Sequence, residues 1–158
     1  MNLFRQYRQL KDSKQYHERV KLSERFMGKR ELTEKDMEAV FEYIGAKPHR
    51  HLKADEITRL AFTSDSITEK IRHLKRLGID VVGATTILML QNPQKYAVAD
   101  YKVWNRLLKE RLMDGVEKES KSDYTEQEYK NYLSVLETIA IEYGMGVADV
   151  EYVLRWST

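Results

Sequence analysis

The chain has 158 residues, 42% hydrophobic and 33% charged, with a formal net charge of +2 and no cysteine. That is long enough for one domain with a real core and too apolar for intrinsic disorder. The missing cysteines exclude disulfides, thiol nucleophiles and cysteine-held zinc or iron–sulfur centres. The small net charge means that any nucleic-acid contact must come from local clusters. No run of about 18 apolar residues occurs, so no membrane contact is expected. The first residues, "MNLFRQYRQLKDSK", hold no secretory apolar core, and a cytoplasmic location is the default expectation.

Helix signals dominate, and no segment keeps the period-two alternation of a strand. Residues 3–25 read as one long charged helix that packs across the domain, with a partner-binding helix as the alternative. "LTEKDMEAVFEYIG" reads as a helix with Thr33 as N-cap and Met37, Val40, Phe41 and Ile44 inward. Residues 54–63 form a short helix. "SITEKIRHLKRLG" carries a Ser66–Glu69 capping box, an apolar face of Ile67, Ile71 and Leu74, and a stop at Gly78. Residues 81–90 follow as an apolar helix, and residues 101–113 as another after a break at Pro93. "DGVEKESKSD", Asp114 to Asp123, is a hydrophilic connection. "TEQEYKNYLSVLETIAIEYG" is capped by Thr125 and Glu128 and ended by Gly144, and a last helix covers residues 147–156. The expected fold is all-α, a single domain over 1–158 with seven or eight helices, a core at about 66–113 and a C-terminal helix pair at about 125–157.

Two features carry chemistry. The first is the turn in "HLKRLGIDVVGATTIL", where a basic helix stops at Gly78 and a new one starts near Val81. Helix, tight turn, helix is the pattern of a helix-hairpin-helix element. There, backbone N–H groups at the start of the second helix cradle a DNA phosphate. Gly78, Ile79 and Val81 would supply the turn. Lys70, Arg72, His73, Lys75 and Arg76 crowd the exposed sides of the first helix, and Lys75 and Arg76 are the phosphate contacts nearest the turn. Asp80 stands where that motif has its second glycine. It can act as an N-cap in an ordinary turn between helices, and its negative charge opposes a phosphate.

The second feature is Asp100, in "YAVADYKVW". It precedes a helix whose Val103, Trp104, Leu107 and Leu108 keep helical spacing, so it can be an N-cap. Its apolar and aromatic neighbours also suit a partly desolvated catalytic carboxylate. The two roles are compatible.

With turn and acid taken together, the stretch from Leu74 to Leu108 resembles the core of the helix-hairpin-helix DNA glycosylase superfamily. Residues from about Glu31 to Trp156 look similar to a group of small, uncharacterised bacterial relatives of it, through "ELTEKD", "GIDVVGATT", "NPQKYAVADYKVW" and "VADVEYVLRW". The resemblance implies that Asp100 is the catalytic acid, stabilising the positive sugar left as the base departs. It implies duplex DNA as partner, no cofactor, Lys102 near phosphate, and Trp104 or Tyr96 as a stacking surface for a flipped base. The position matching the Schiff-base lysine of bifunctional members is Val82, so a purely hydrolytic reaction is implied. The alternative is a non-catalytic DNA- or protein-binding module within a larger bacterial genome-maintenance or phage-defence assembly.

"AKPHRHLKADE" brings His49, His51, Asp55 and Glu56 close in sequence, but the histidines lack helical ligand spacing, and no metal site is expected. Lys47, Arg50 and Lys53 make a phosphate contact the better reading there. No phosphate-loop glycine motif and no nucleophile elbow occurs.

Overall fold

The computed structural model describes residues 2–47, 53–120 and 123–157. Among these are nine helices and no strand: α1 Leu3–Leu10, α2 Lys14–Phe26, α3 Glu34–Ile44, α4 Ala54–Thr63, α5 Ile67–Lys75, α6 Val81–Gln91, α7 Tyr101–Lys109, α8 Glu126–Tyr143 and α9 Val147–Trp156.

The excess over seven or eight comes from the N-terminus. The expected single helix over 3–25 is broken at residues 11–13, because Ser13 adopts extended backbone and caps α2. Its hydroxyl accepts from the Tyr16 N–H at 3.2 Å and shares a hydrogen bond with the Tyr152 hydroxyl at 2.6 Å. A serine cap that also ties α2 to α9 outweighs the continuity of the charged stretch. The helix expected over 101–113 stops at Lys109, followed by Arg111 in the left-handed region at φ 57°.

Elsewhere the caps set the ends. Thr33 with Asp36, and Thr125 with Glu128, form complete capping boxes, and Gly45 and Gly144 close α3 and α8 in the left-handed conformation. At Ser66 the structure shows the serine half, its Oγ accepting from the Glu69 N–H at 3.1 Å.

The centre of the molecule is α6. From Gly83 to Leu90 every residue is buried, so the helix is apolar all round and lies inside the domain. It packs against α2, α3 and α5, while α8 and α9 pair with each other and α9 also meets α1 and α7. One continuous apolar cluster runs from Leu3 to Leu154.

Lys70 corrects one expectation. It is 9% exposed rather than on a solvated face. Its Nζ donates to the Ala61 carbonyl at 3.2 Å and the Phe62 carbonyl at 3.1 Å, in the last turn of α4. A cation there satisfies carbonyls that lack helical partners. Burial lowers the pKa of its ammonium.

Candidate functional site

The acid at Asp100 is placed by an extended strap, residues 96–100, between α6 and α7. Three buried groups pin it. The Tyr129 hydroxyl donates to the Ala97 carbonyl at 2.7 Å, the Tyr132 hydroxyl donates to the Val98 carbonyl at 2.9 Å, and the Ala99 N–H donates to Thr85 Oγ1 at 3.0 Å. The stretch just before the strap also holds α9. The Pro93 and Gln94 carbonyls accept from the Ala148 N–H at 2.9 Å and the Val147 N–H at 3.3 Å.

Asp100 caps α7. Its Oδ1 accepts from the Lys102 N–H at 2.9 Å and the Val103 N–H at 3.1 Å. Its Oδ2 lies 3.3 Å from Arg155 Nε on α9. The side chain is 8% exposed and borders a cleft of about 350 Å³. The cleft walls come from α2 (Arg19), α3 (Tyr43, Ile44), α6 (Val82, Thr86, Met89) and α9 (Glu151, Arg155, Trp156).

The charges in this cleft are unequal in number. Arg155 pairs with Asp100, and Arg19 Nη2 pairs with Asp149 at 2.6 Å. Two cations are thus matched by two anions. Glu18, which also lines the cleft, is exposed and lies 3.9 Å from Lys14. Glu151 is the group left over, 4% exposed, and its Oε1 has no hydrogen-bond partner. Burial, helped by the charge of Asp100, raises its carboxyl pKa from 4.5 to about 8, against the opposing pull of Arg155 and Arg19. The Nε and Nη1 of Arg19 are also buried without partners, and its guanidinium lies over the rings of Tyr16 at 4.9 Å and Tyr152 at 5.7 Å.

The residues expected from sequence fall into two groups and a remainder. Asp100 faces the cleft, and Val82 lines the same cleft, one residue beyond the start of α6. Lys102 is exposed on the first turn of α7, its Nζ 5.9 Å from the Trp156 ring centre.

Gly78, Ile79, Val81, Lys75 and Arg76 gather at the α5–α6 turn. Gly78 sits at φ 82°, a left-handed conformation that favours glycine. Arg76 is exposed and Lys75 half-buried. Two amides in the first turn of α6 already have side-chain acceptors. The Gly83 N–H donates to Asp80 Oδ1 at 2.9 Å, and the Val81 N–H to Asp123 Oδ1 at 3.4 Å. Asp80 is therefore the N-cap of α6. A phosphate that takes the Val81 N–H has to displace the Asp123 carboxylate.

Trp104 and Tyr96 are apart from both groups. Trp104 is buried, its indole N–H donating to the Val116 carbonyl at 2.8 Å and its ring stacked on Tyr132 at 6.2 Å. Tyr96 is buried too, and neither residue lines the cleft. The exposed aromatics at the cleft are Tyr43, 42% exposed, and Trp156, 43% exposed, with the Arg155 guanidinium 5.2 Å from the Trp156 ring centre.

Glu151, Arg19 and Arg155 were not singled out from sequence, although a signal existed. Val147, Val150, Glu151 and Leu154 follow the i, i+3, i+4, i+7 rule, which puts Glu151 on the buried stripe of α9. Arg19, Ser23 and Phe26 form the same kind of stripe on α2.

Among the described residues no group of three or more histidine, aspartate or glutamate side chains could hold a metal ion. The expectations for His49, Arg50 and His51 lie outside the described residues, whereas Lys47 and Lys53 are exposed. No described helix is long and apolar enough to cross a membrane. Compared with protein-family models, with curated proteins and with solved structures, the chain finds no match in any of the three.

Proposed function

We propose that this is a DNA-interacting protein with a helix-hairpin-helix element in α5–α6 and a glycosylase-like cleft, hydrolysing an N-glycosidic bond of duplex DNA through Asp100. The observation that carries this reading is that Asp100 and Val82 line one cleft. Its volume, about 350 Å³, falls within the usual range of ligand sites, which starts at about 300 Å³.

Asp100 would act as a fixed carboxylate. Two α7 amides hold Oδ1, so its orientation is set before substrate arrives. Loss of the base puts positive charge on the sugar, and a carboxylate a few ångströms away stabilises that charge and orients a water. Val82 offers no amine, so no covalent sugar–enzyme imine forms. Arg155 opposes the reaction while it pairs with Asp100, and its side chain is 38% exposed and free to turn outward when substrate enters. Trp156 and Tyr43 are the exposed aromatic surfaces available to a flipped base.

A second reading, a non-catalytic binding module, is favoured by the carboxylates of Asp80 and Asp123 at the α5–α6 turn. One experiment separates the two. DNA binding is measured at two salt concentrations, and parent and Asp100→Asn are screened for base release from damaged or modified duplexes. The enzyme reading expects salt-sensitive binding and base release that disappears in Asp100→Asn. Salt-sensitive binding without release by the parent supports the module. Binding indifferent to salt ends the phosphate-contact idea for both.

A further inference from the structure

We propose that Glu151 is the recognition residue of the Asp100 cleft, and that its ligand is a neutral, planar heterocycle presenting a hydrogen-bond donor beside an acceptor. This rests on the reading of the cleft as a base-binding site, and it does not require catalysis.

Asp100 and Asp149 already neutralise Arg155 and Arg19. An ionised Glu151 would be an unpaired buried anion, which is expensive to bury. A neutral carboxyl removes that cost and leaves each remaining charge at the cleft with an opposite partner, Glu18 with Lys14 included. The groups facing Glu151 are Arg19 and the exposed Glu18 from α2, Tyr43 from α3, Asp100 at the head of α7, Tyr129 and Tyr132 from α8, and Arg155 on its own helix. The two tyrosines of α8 spend their hydroxyl hydrogens on strap carbonyls, so neither satisfies Glu151.

A neutral carboxyl has one O–H to donate and one oxygen to accept. Its complement is an edge with one acceptor and one donor side by side, as in an amidine or a lactam ring. A carboxylate instead selects two donors or a cation. Glu151 is almost wholly buried, it lines the cleft, and its Oε1 has no partner within the protein. The other walls suit a flat ring, with Val82, Ile44 and Met89 on the apolar side and Trp156 at the exposed end. A cationic, alkylated base meets two arginines, with Asp100 and Glu18 already beside Arg155 and Lys14, and is disfavoured.

The test uses the full chain and adenosine, a nucleoside with a donor–acceptor edge that neither gains nor loses a proton between pH 6 and pH 9. Binding is titrated by chemical-shift perturbation across that range for the parent, Glu151→Gln and Glu151→Ala. With the Glu151 carboxyl titrating at about 8, affinity should hold nearly steady to about pH 7 and fall about tenfold between pH 7 and pH 9. Glu151→Gln keeps one donor and one acceptor, so it should bind within about threefold of the parent at pH 6 and lose the pH dependence. Glu151→Ala should bind at least tenfold more weakly, and 1-methyladenosine, whose edge is blocked and charged, should bind at least tenfold more weakly to the parent at pH 6.

Absent adenosine binding, a pH-independent parent, or a Glu151→Gln variant that keeps the parent's pH profile overturns the proposal. If Glu151→Ala does not fold, Glu151→Gln decides alone. Asp100-dependent base release together with Glu151-independent adenosine binding sinks this inference and leaves the enzyme reading standing. The reverse pattern, Glu151-dependent binding without base release, does the opposite.

Discussion

Arg155 Nε lies 3.3 Å from Asp100 Oδ2, so the last helix of the chain neutralises the acid that the strap presents. Glu151 sits one turn earlier on the same helix and has no such partner. Burial raises the Glu151 carboxyl pKa, and the more distant pull of Arg155 and Arg19 does not offset it.

Removing that guanidinium should move the other acid. Arg155 holds the Glu151 pKa down, so Arg155→Ala should raise the midpoint of Glu151 titration, read by carboxyl carbon NMR. Asp100 is buried and loses its cation in this variant, but it keeps the Lys102 and Val103 N–H donors, which limits the loss of stability. An unmoved midpoint contradicts this account.

Glu151 also predicts the pH dependence of stability. Its pKa is raised on folding, from 4.5 to about 8, so the folded state binds its proton more tightly than the unfolded state. The stability is fully present below about pH 4.5 and is lost progressively as pH rises through about 8. Denaturant unfolding should show the parent weaker at pH 9 than at pH 5. In Glu151→Gln this loss should shrink by a few kcal/mol, because a glutamine does not titrate.

The strap should depend on its buried hydroxyls. Tyr129→Phe leaves the Ala97 carbonyl without its donor and should cost about 1–3 kcal/mol by urea unfolding. Thr85→Val removes the acceptor of the Ala99 N–H and should cost a similar amount. In both variants any Asp100-dependent activity should fall further than stability does, since the strap sets the position of the acid.

The α5–α6 turn gives a contrasting pair. Gly78→Ala should lose about 1–2 kcal/mol, because φ 82° suits glycine alone. Asp123→Ala frees the Val81 N–H and removes a negative charge from the helix start. Its affinity for duplex DNA should rise several-fold at low salt. No rise means that this turn does not meet phosphate.

Much of the fold was legible because its helix ends carry side-chain caps. Thr33, Ser66, Thr125 and Gly144 act where the sequence pattern places them. The break before α2 was hidden because Ser13 sits inside a charged stretch, and its cap is reinforced by Tyr152, 139 residues away. The same limit applies to the cleft. Asp100 and Val82 could be read from their spacing and resemblance. Arg19 and Glu151 look like ordinary members of charged helices until α2 and α9 pack and turn them inward. Trp104 and Tyr96 show the converse, aromatic residues near the acid that tertiary packing takes into the core.

The all-round burial of α6 sets where the molecule can give way. A helix with no wet face cannot detach without exposing apolar surface on every side, so its opening coincides with complete unfolding. Its amides should be among the slowest to exchange with deuterium. Val82, Thr86 and Met89 therefore form the anvil of the cleft. Any adjustment to an incoming guest falls to the opposite wall, where Arg155 and Trp156 end the last helix in solvent.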